Sequence, residues 1–288
     1  MDFPITSITL ESEHYPPLLR HIFDPPVVLY VRGNVEALTG ECFGIVGTRA
    51  LTDYGKRSGA DLATGIARAG FTIVSGLALG IDALAHRTAL AEKTPTIAVV
   101  GSGLSDEMLY PHQNLRLAHQ ILAAGGAVIS EYEPHVRAQL FTFPARNRII
   151  SGMSKGVLVV EGDIKSGTMI TAKAALDQGR DVFAVPGPIY AAKSQGTNYL
   201  IQKGAKLVLK VEDILEDYGK FLPSAQAITP SNPHEAAILT ALAEEPLTIN
   251  ELIRTTKLDT SQMSATLMIM EVEKKVRNLG NGKFVVYS

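Results

Sequence analysis

The chain lacks the cysteines for an internal disulfide: Cys42 is the single one among 288 residues, which suits a reducing compartment. It has no apolar run approaching the roughly 20 residues that cross a bilayer. Its opening stretch, MDFPITSITLESEH, is acidic and has no basic segment leading into an apolar one, so a secretory signal is not expected. These absences predict a cytoplasmic protein without a membrane span. A charge excess is missing too. With 27 basic and 29 acidic side chains, any site for a polyanion must be a local patch. One further absence is local: no aspartate or glutamate occurs between Glu133 and Glu161, while Arg137, Arg146, Arg148 and Lys155 fall inside that window. The stretch FPARNRII, residues 143–150, sets cations at the mouth of an apolar run with no acid beside them. An acidic ligand is the expected complement.

What the sequence does contain is a globular composition, 46% hydrophobic and 19% charged, enough for a sizeable core. From residue 42 to 210, the apolar runs CFGIVG, FTIVSG, TIAVVGSG, GAVISEY, GVLVVEG, DVFAVPG and AKLVLK alternate with helical patterns such as YGKRSGADLATGIARAG and GIDALAHRTALAEK. Continuous apolar runs predict strands buried on both faces of a parallel sheet. Strand and helix alternating this often predict a doubly wound, mostly parallel α/β sheet of Rossmann-like type. The segment before it, residues 1–41, reads as an extended cover with a short strand. After residue 215 the texture changes: LPSAQAITPSNP is a linker by composition. The remainder gives three short helices and a hairpin, with Thr248 and Glu251 at capping-box spacing and NGK supplying a tight turn. That is the size and pattern of a winged helix. The boundaries are 1–41 cover, 42–218 Rossmann-like domain, 219–232 linker and 233–288 winged helix.

Four strands run into glycine-bearing loops: GIVGTR with Gly47, VSGLALG with Gly76, VVGSGL, and VVEGDIKSGT. Such loops gather at the carboxyl edge of an open α/β sheet, where ligands bind, and their exposed N–H groups suit phosphates. None reads G-x-G-x-x-G or G-x-x-x-x-G-K-[ST], so neither a nicotinamide cofactor nor a nucleoside triphosphate is indicated; no cofactor is expected. Arg49 follows the first loop where a helix is expected to begin, within reach of anions held by loop amides. Arg146 and Arg148 cannot point the same way on a helix, so one faces a ligand while the other pairs internally, with Glu131 or Glu161 as candidates. Phe143 is either core or a ring on which a base stacks.

Catalytic patterns are weak. Asp82 and His86 are spaced to touch on a helix but have no third ligand or nucleophile beside them; they read as a helix-start cap and a structural histidine. His112 in YPHQN reads as a turn residue. Glu161 and Asp163 follow one strand and form no evident acid–base pair, and Cys42 reads as core. A nucleotide-processing enzyme of the lysine-decarboxylase-like fold would carry P-G-G-x-G-T-x-x-E, which EGDIKSGTMITA lacks. A duplex-DNA regulator would rest on the third C-terminal helix, whose two lysines lie only at its end beside Glu271 and Glu273. Met263, Leu267 and Met270 on that helix are spaced as a core stripe.

Read in order, GIVGTRALTDYG, GFTIVSGLALGIDALAH, YPHQN, ISEYEP, FPARNRIISGMSKGVLVVEG, SGTMITAKAALDQGRDVFAVPG and GTNYLIQKGA resemble the DNA-processing protein A (DprA, also Smf) family over about residues 8–215. The resemblance implies an extended Rossmann-like domain often followed by a winged helix. It implies a protein that is not an enzyme, binds single-stranded DNA and loads the RecA recombinase onto it in natural transformation or recombination; a homodimer is the expected assembly. By position it gives DNA contacts to Thr48 and Arg49, to Phe143, Arg146, Asn147 and Arg148, and to Ser166, Gly167 and Thr168. Leu79 and Leu140 stand where similar proteins carry basic residues, so compensating charge is expected from Arg137 or Lys165.

Overall fold

The computed structural model describes residues 3–222, 230–243, 245–273, 275–279 and 282–286. The chain divides into two units, Met1–Leu222 and Pro223–Ser288. In the first, nine strands form one sheet: β1 (Ile5–Thr9), β2 (Val28–Gly33), β3 (Cys42–Val46), β4 (Thr72–Ser75), β5 (Thr96–Val99), β6 (Ala127–Ser130), β7 (Gly156–Val159), β8 (Asp181–Ala184) and β9 (Lys206–Leu207). The helices between them are α1 (Asp53–Arg68), α2 (Ile81–Ala91), α3 (Leu115–Ala123), α4 (Thr142–Met153), α5 (Gly167–Asp177) and α6 (Ala192–Gln202), with a single turn, α7 (Glu212–Leu215), after β9.

The strand order is β1-β2-β6-β5-β4-β3-β7-β8-β9, and every pair from β6 to β9 is parallel. The chain therefore winds outward from β3 through β4, β5 and β6, returns to lay β7 on the other side of β3, and winds outward again. The reversal falls between β3 and β7. At such a switch point the loops leaving neighbouring strands diverge to opposite faces and open a crevice at the carboxyl edge.

Alternation along β3 explains its uninterrupted apolar sequence. Phe43 and Ile45 pack with Leu62 and Ile66 of α1, whereas Cys42 and Val46 pack on the other face with Ile149 and Ile150 of α4. Both faces are covered, so no position in the strand calls for a polar residue. Helix α1 is capped by Thr52, whose side chain accepts from Gly55 N–H. The chain leaves that helix through Gly70 at φ +84°, a left-handed turn that glycine takes without strain.

The N-terminal segment departs from expectation. It carries two strands, not one, and they extend the sheet: β1 pairs antiparallel with β2, and β2 antiparallel with β6. Leu29 and Val31 alternate into the core together with Ile8, so the segment covers an otherwise open sheet edge. Only Ile8 of β1 is buried, which is why its polar sequence does not advertise a strand.

The second unit contains α8 (Pro233–Ala241), β10 (Leu247–Thr248), α9 (Ile249–Thr256), α10 (Thr260–Val272), β11 (Val276–Asn278) and β12 (Lys283–Val286), with an antiparallel sheet in the order β10-β12-β11. This is a winged helix. The Thr248–Glu251 capping box is present, and Asp259 with Gln262 forms a second one. Met263, Leu267 and Met270 join Ile238, Leu252 and Phe284 in its core. Residues 223–229 of the expected linker, and Asn281 of the expected NGK turn, lie outside the described residues. Among the described residues no helix is long and apolar enough to cross a membrane.

Candidate nucleic-acid interface

The four glycine-bearing loops follow β3, β4, β5 and β7, which are contiguous in the sheet, so they converge on one edge. Two glycines set how closely they do so. Gly80 ends the β4 loop at φ +80°, ψ −127°, and a Cβ there would stand 2.2 Å from the Thr48 carbonyl oxygen. At Gly47 a Cβ would stand 2.6 Å from the Ile81 side chain. The β3 loop is thus pressed onto the start of α2, where Ile81 N–H donates to Thr48 O at 3.1 Å. Alanine at Gly80 is expected to destabilise the unit by about 2–3 kcal/mol, combining a glycine-only conformation with a backbone clash. Alanine at Gly125, also at positive φ but with nothing within 4 Å, should cost about 1 kcal/mol. Thermal unfolding of the two variants separates the clash from the conformational cost.

Between the loops lies a cleft of about 440 Å³ reaching from Gly47, Thr48 and Arg49 to Ser166, Gly167 and Thr168, with Phe143, Arg146 and Asn147 of α4 in its wall. An adjoining lobe of about 70 Å³ shares Arg49, Phe143 and Arg146 and adds Gly76. Every sequence-predicted site residue except Arg148 lines one or the other. Arg49 stands in the loop ahead of α1, short of the Thr52 cap, and its guanidinium lies 5.6 Å from the Phe143 ring centroid. Among the described residues it has no carboxylate partner. Phe143 is half-buried between Arg49 and Tyr110, whose ring centroid is 5.4 Å away at an interplanar angle of 50°. The ring is therefore not core; it lines the cleft with a cation over it.

Arg146 has a different environment. It is 5% exposed, donates through Nη1 to Val99 O at 2.6 Å, and keeps its buried Nε without a partner. Its guanidinium occupies the space a side chain at position 76 would fill: a Cβ on Gly76 would stand 1.6 Å from Nη1. Burial lowers its pKa to about 10, with Asp82 opposing the shift and Arg49 adding to it, so it remains charged near neutrality. Asp82 is buried as well. Burial raises its pKa, while Arg146 and hydrogen bonds from the loop amides hold it down; Gly76 N–H and Ala78 N–H donate to it at 3.1 and 3.4 Å. Asp82 thus orders the β4 loop at the helix start and balances the cation behind it.

Arg148 does not face the cleft. It holds Glu131 with two parallel hydrogen bonds of 2.9 and 2.8 Å and pairs with Asp24 at 3.1 Å. It therefore ties α4 to the N-terminal segment, and an internal ion pair replaces the ligand contact expected of it. Lys155 pairs with Glu41. The acid-free window is thus partly neutralised by carboxylates arriving from other elements. Asp82 balances Arg146, so among the described residues the window's cation without a carboxylate partner is Arg137, exposed outside the cleft.

The far wall is the start of α5. Ser166 occupies the N-cap position, but its side chain makes no cap hydrogen bond, and its buried Oγ has no partner. Asn147 Nδ2 donates to Gly167 O at 3.4 Å, fixing α4 against this helix start. Ser166, Gly167 and Thr168 at this helix start line a cleft that also holds cations, and helix starts suit anions. The expected compensating cations, Arg137 and Lys165, do not line the cleft. Lys193 comes closer, with Nζ 3.5 Å from Thr48 Oγ1. The GT of GTNYLIQKGA explains its placement: a Cβ on Gly196 would stand 2.5 Å from Gly162 O, so only glycine lets α6 lie against the β7 loop. Lys193 and Tyr110 were not singled out in the sequence, although Tyr110 opens YPHQN and Lys193 lies three residues before GTNYLIQKGA. Leu140 and Tyr110, 91% and 48% exposed, make part of the rim apolar.

The groups with catalytic-looking spacing have structural partners. His86 Nδ1 meets Thr96 Oγ1 at 2.8 Å, and that hydroxyl donates to Ile73 O. Nδ1 therefore carries the proton, and burial drives the imidazole pKa down to about 3. Glu161 accepts from Thr52 N–H and Thr52 Oγ1, bracing the cap of α1. His112 lies in a short turn before α3. Among the described residues no three His, Cys, Asp or Glu side chains are grouped to hold a metal.

A doubly wound sheet with a basic, aromatic-walled cleft at its switch point, followed by a winged helix, defines a two-domain Rossmann-like protein. Residues 6–219 match the family of DNA recombination-mediator protein A, and residues 222–282 match the DprA winged helix domain. The chain belongs to this family, DprA/Smf. It is 47% identical to Protein Smf of Escherichia coli over 210 residues, 73% of this chain and 56% of that protein. It is 46% identical to DNA processing protein DprA of Bacillus subtilis over 214 residues, 74% of this chain and 71% of that one. The crystal structure of the Streptococcus pneumoniae protein superimposes with a TM-score of 0.69 at 43% identity, covering 75% of this chain and 74% of that one. The Helicobacter pylori DNA processing protein A, solved to describe its single-stranded DNA binding mode, superimposes with a TM-score of 0.66 at 32% identity, covering 75% and 96%.

Proposed function

We infer that this chain binds single-stranded DNA in the cleft between the β3 and β7 loops, and that in the cytoplasm, as a homodimer, it delivers the strand to the RecA recombinase during transformation or recombination. The observation carrying this reading is the Arg49–Phe143 pair: an uncompensated guanidinium over a ring beside a helix start. Phosphates suit the cation and the amides, and an unstacked base suits the ring; a duplex offers no free base face. Single-stranded DNA binding by the Helicobacter pylori relative supports the same class of ligand. RecA delivery rests on family membership, and its assay is RecA filament formation on DNA coated with single-strand binding protein. An unchanged rate on adding this protein would refute it.

The direct test is fluorescence anisotropy with oligothymidine and a matched duplex at several salt concentrations. The single strand should bind more tightly, with affinity falling as salt rises because phosphate contacts release counterions. Equal affinity for the duplex would count decisively against the cleft. A chain ending at Leu222 should keep its affinity to within about threefold, less than 1 kcal/mol. The reason is that α10 carries no basic residue over Thr260–Val272 and contributes little counterion release. A loss beyond about 2 kcal/mol in a folded truncated chain would place the winged helix in the DNA site.

A further inference from the structure

Helix α10 is apolar on two opposite faces. Met263, Leu267 and Met270 point into the core of the winged helix. With about 100° between successive residues, the face opposite that stripe carries Ser261, Ala265, Met268, Ile269 and Val272. All five are exposed, Met268, Ile269 and Val272 at 71%, 53% and 79%. A helix apolar on both sides is ordinarily covered on both, and adjacent large apolar side chains left open mark an interaction surface.

The sequence of this face indicates what covers it. Its N-terminal half is small, with Ser261, Ser264 and Ala265, and its C-terminal half is large, with Ile269 and Val272. Glu271 and Glu273 stand at the C-terminal end, and no acid occurs from Thr260 to Met270. Two copies running antiparallel about a two-fold axis between Met268 and Ile269 satisfy both asymmetries. Ala265 then meets Val272 of the other copy, small against large, and Met268 meets Ile269. In that register Glu271 and Glu273 come opposite Thr266 and Ser264 of the other copy, in a stretch that holds no acid. A parallel pairing would set Glu273 against its own copy. We propose that the winged-helix unit associates with a second copy of this chain through antiparallel packing of the exposed α10 face. This contact is independent of the DNA-binding cleft and does not rest on the function assigned to it.

The test uses the full chain with cysteines at two exposed positions, Ala265→Cys and Val272→Cys. Within one helix these are about 10 Å apart, too far for a disulfide, and the native Cys42 is buried. Mild oxidation should therefore yield covalent dimers on non-reducing gels. Glu271→Cys, on the flank of the same helix, should cross-link far more slowly. Adding Met268→Glu to the double-cysteine chain should slow dimer formation about tenfold, because it buries a charge in the contact, while circular dichroism remains unchanged for this exposed position. A double-cysteine chain that stays monomeric, cross-links no faster than Glu271→Cys, or ignores Met268→Glu would overturn the proposal. Each of those outcomes would leave the face to a different occupant.

Discussion

Replacing Arg146 with methionine is expected to destabilise the first unit by about 3–5 kcal/mol, the cost of leaving a buried charge without its partner. The substitution conserves much of the volume and removes both the hydrogen bond to Val99 O and the positive charge that opposes the burial shift of Asp82. Asp82 then remains buried beneath the β4 loop with only the loop amides and Ser75 to hold its charge. Adding Asp82→Asn should return about 1–3 kcal/mol, because the two residues are coupled and their separate costs do not add. The pH dependence has a definite sign. Burial already holds the folded-state pKa of Asp82 above its unfolded value, and losing Arg146 raises it further. The folded variant thus binds a proton that the unfolded chain does not, and its stability falls as pH rises through that window. Its deficit should be smaller at mildly acidic pH than at neutrality, and Asp82→Asn should abolish that difference. Hydrogen exchange of the β3, β4 and β7 amides under urea follows this unit separately from the winged helix. A deficit below about 1 kcal/mol would mean that Arg146 does not stabilise Asp82.

The same pair shows where sequence reading stops. The strands were legible because β3 to β7, and β8 beyond Asp181, are buried on both faces and their apolar runs are unbroken. The location of the cleft followed from topology, since loops leaving parallel strands must share one edge. That one of the two α4 arginines pairs internally, with Glu131 as a candidate, was legible, and Arg148 does so; which arginine it is, and its second partner, were not. Arg148 is bound by Glu131 and by Asp24, which is 124 positions away, and no local spacing encodes such a contact. Arg146 depends on the absence of a side chain at Gly76, a vacancy visible only once β4 and β5 lie side by side. Lys193 reaches Thr48 through a helix packed on the β7 loop by Gly196, again a tertiary effect. Local patterns thus identified which loops matter. Packing decided which cations within them are left for a ligand.

Arg49→Ala is expected to weaken single-strand binding about thirtyfold, close to 2 kcal/mol, while Arg68→Ala changes it less than about twofold. Both remove one positive charge, so a purely global electrostatic effect would make them equal. Arg68 lies in the last turn of α1 and pairs with Glu92 at 2.8 Å, away from the loops; its loss affects a partly exposed ion pair of little energetic weight. Arg49 is exposed at the cleft with its guanidinium over Phe143, so alanine removes a charge-assisted phosphate contact worth about 1.5–3 kcal/mol. Salt titration separates its role from that of the ring. Removing one phosphate contact should reduce the slope of log affinity against log salt by about 0.7 for a single strand. Phe143→Leu should lower affinity by about 1–3 kcal/mol with the slope unchanged, because a lost stack releases no counterion. Arg49→Lys should keep the slope yet recover only part of the affinity, since an ammonium lacks the planar face that lies on the ring. Equal losses for Arg49→Ala and Arg68→Ala would move the DNA path off this edge of the sheet. A slope that falls equally for Arg49→Ala and Phe143→Leu would instead mean that the ring serves only to hold the arginine in place.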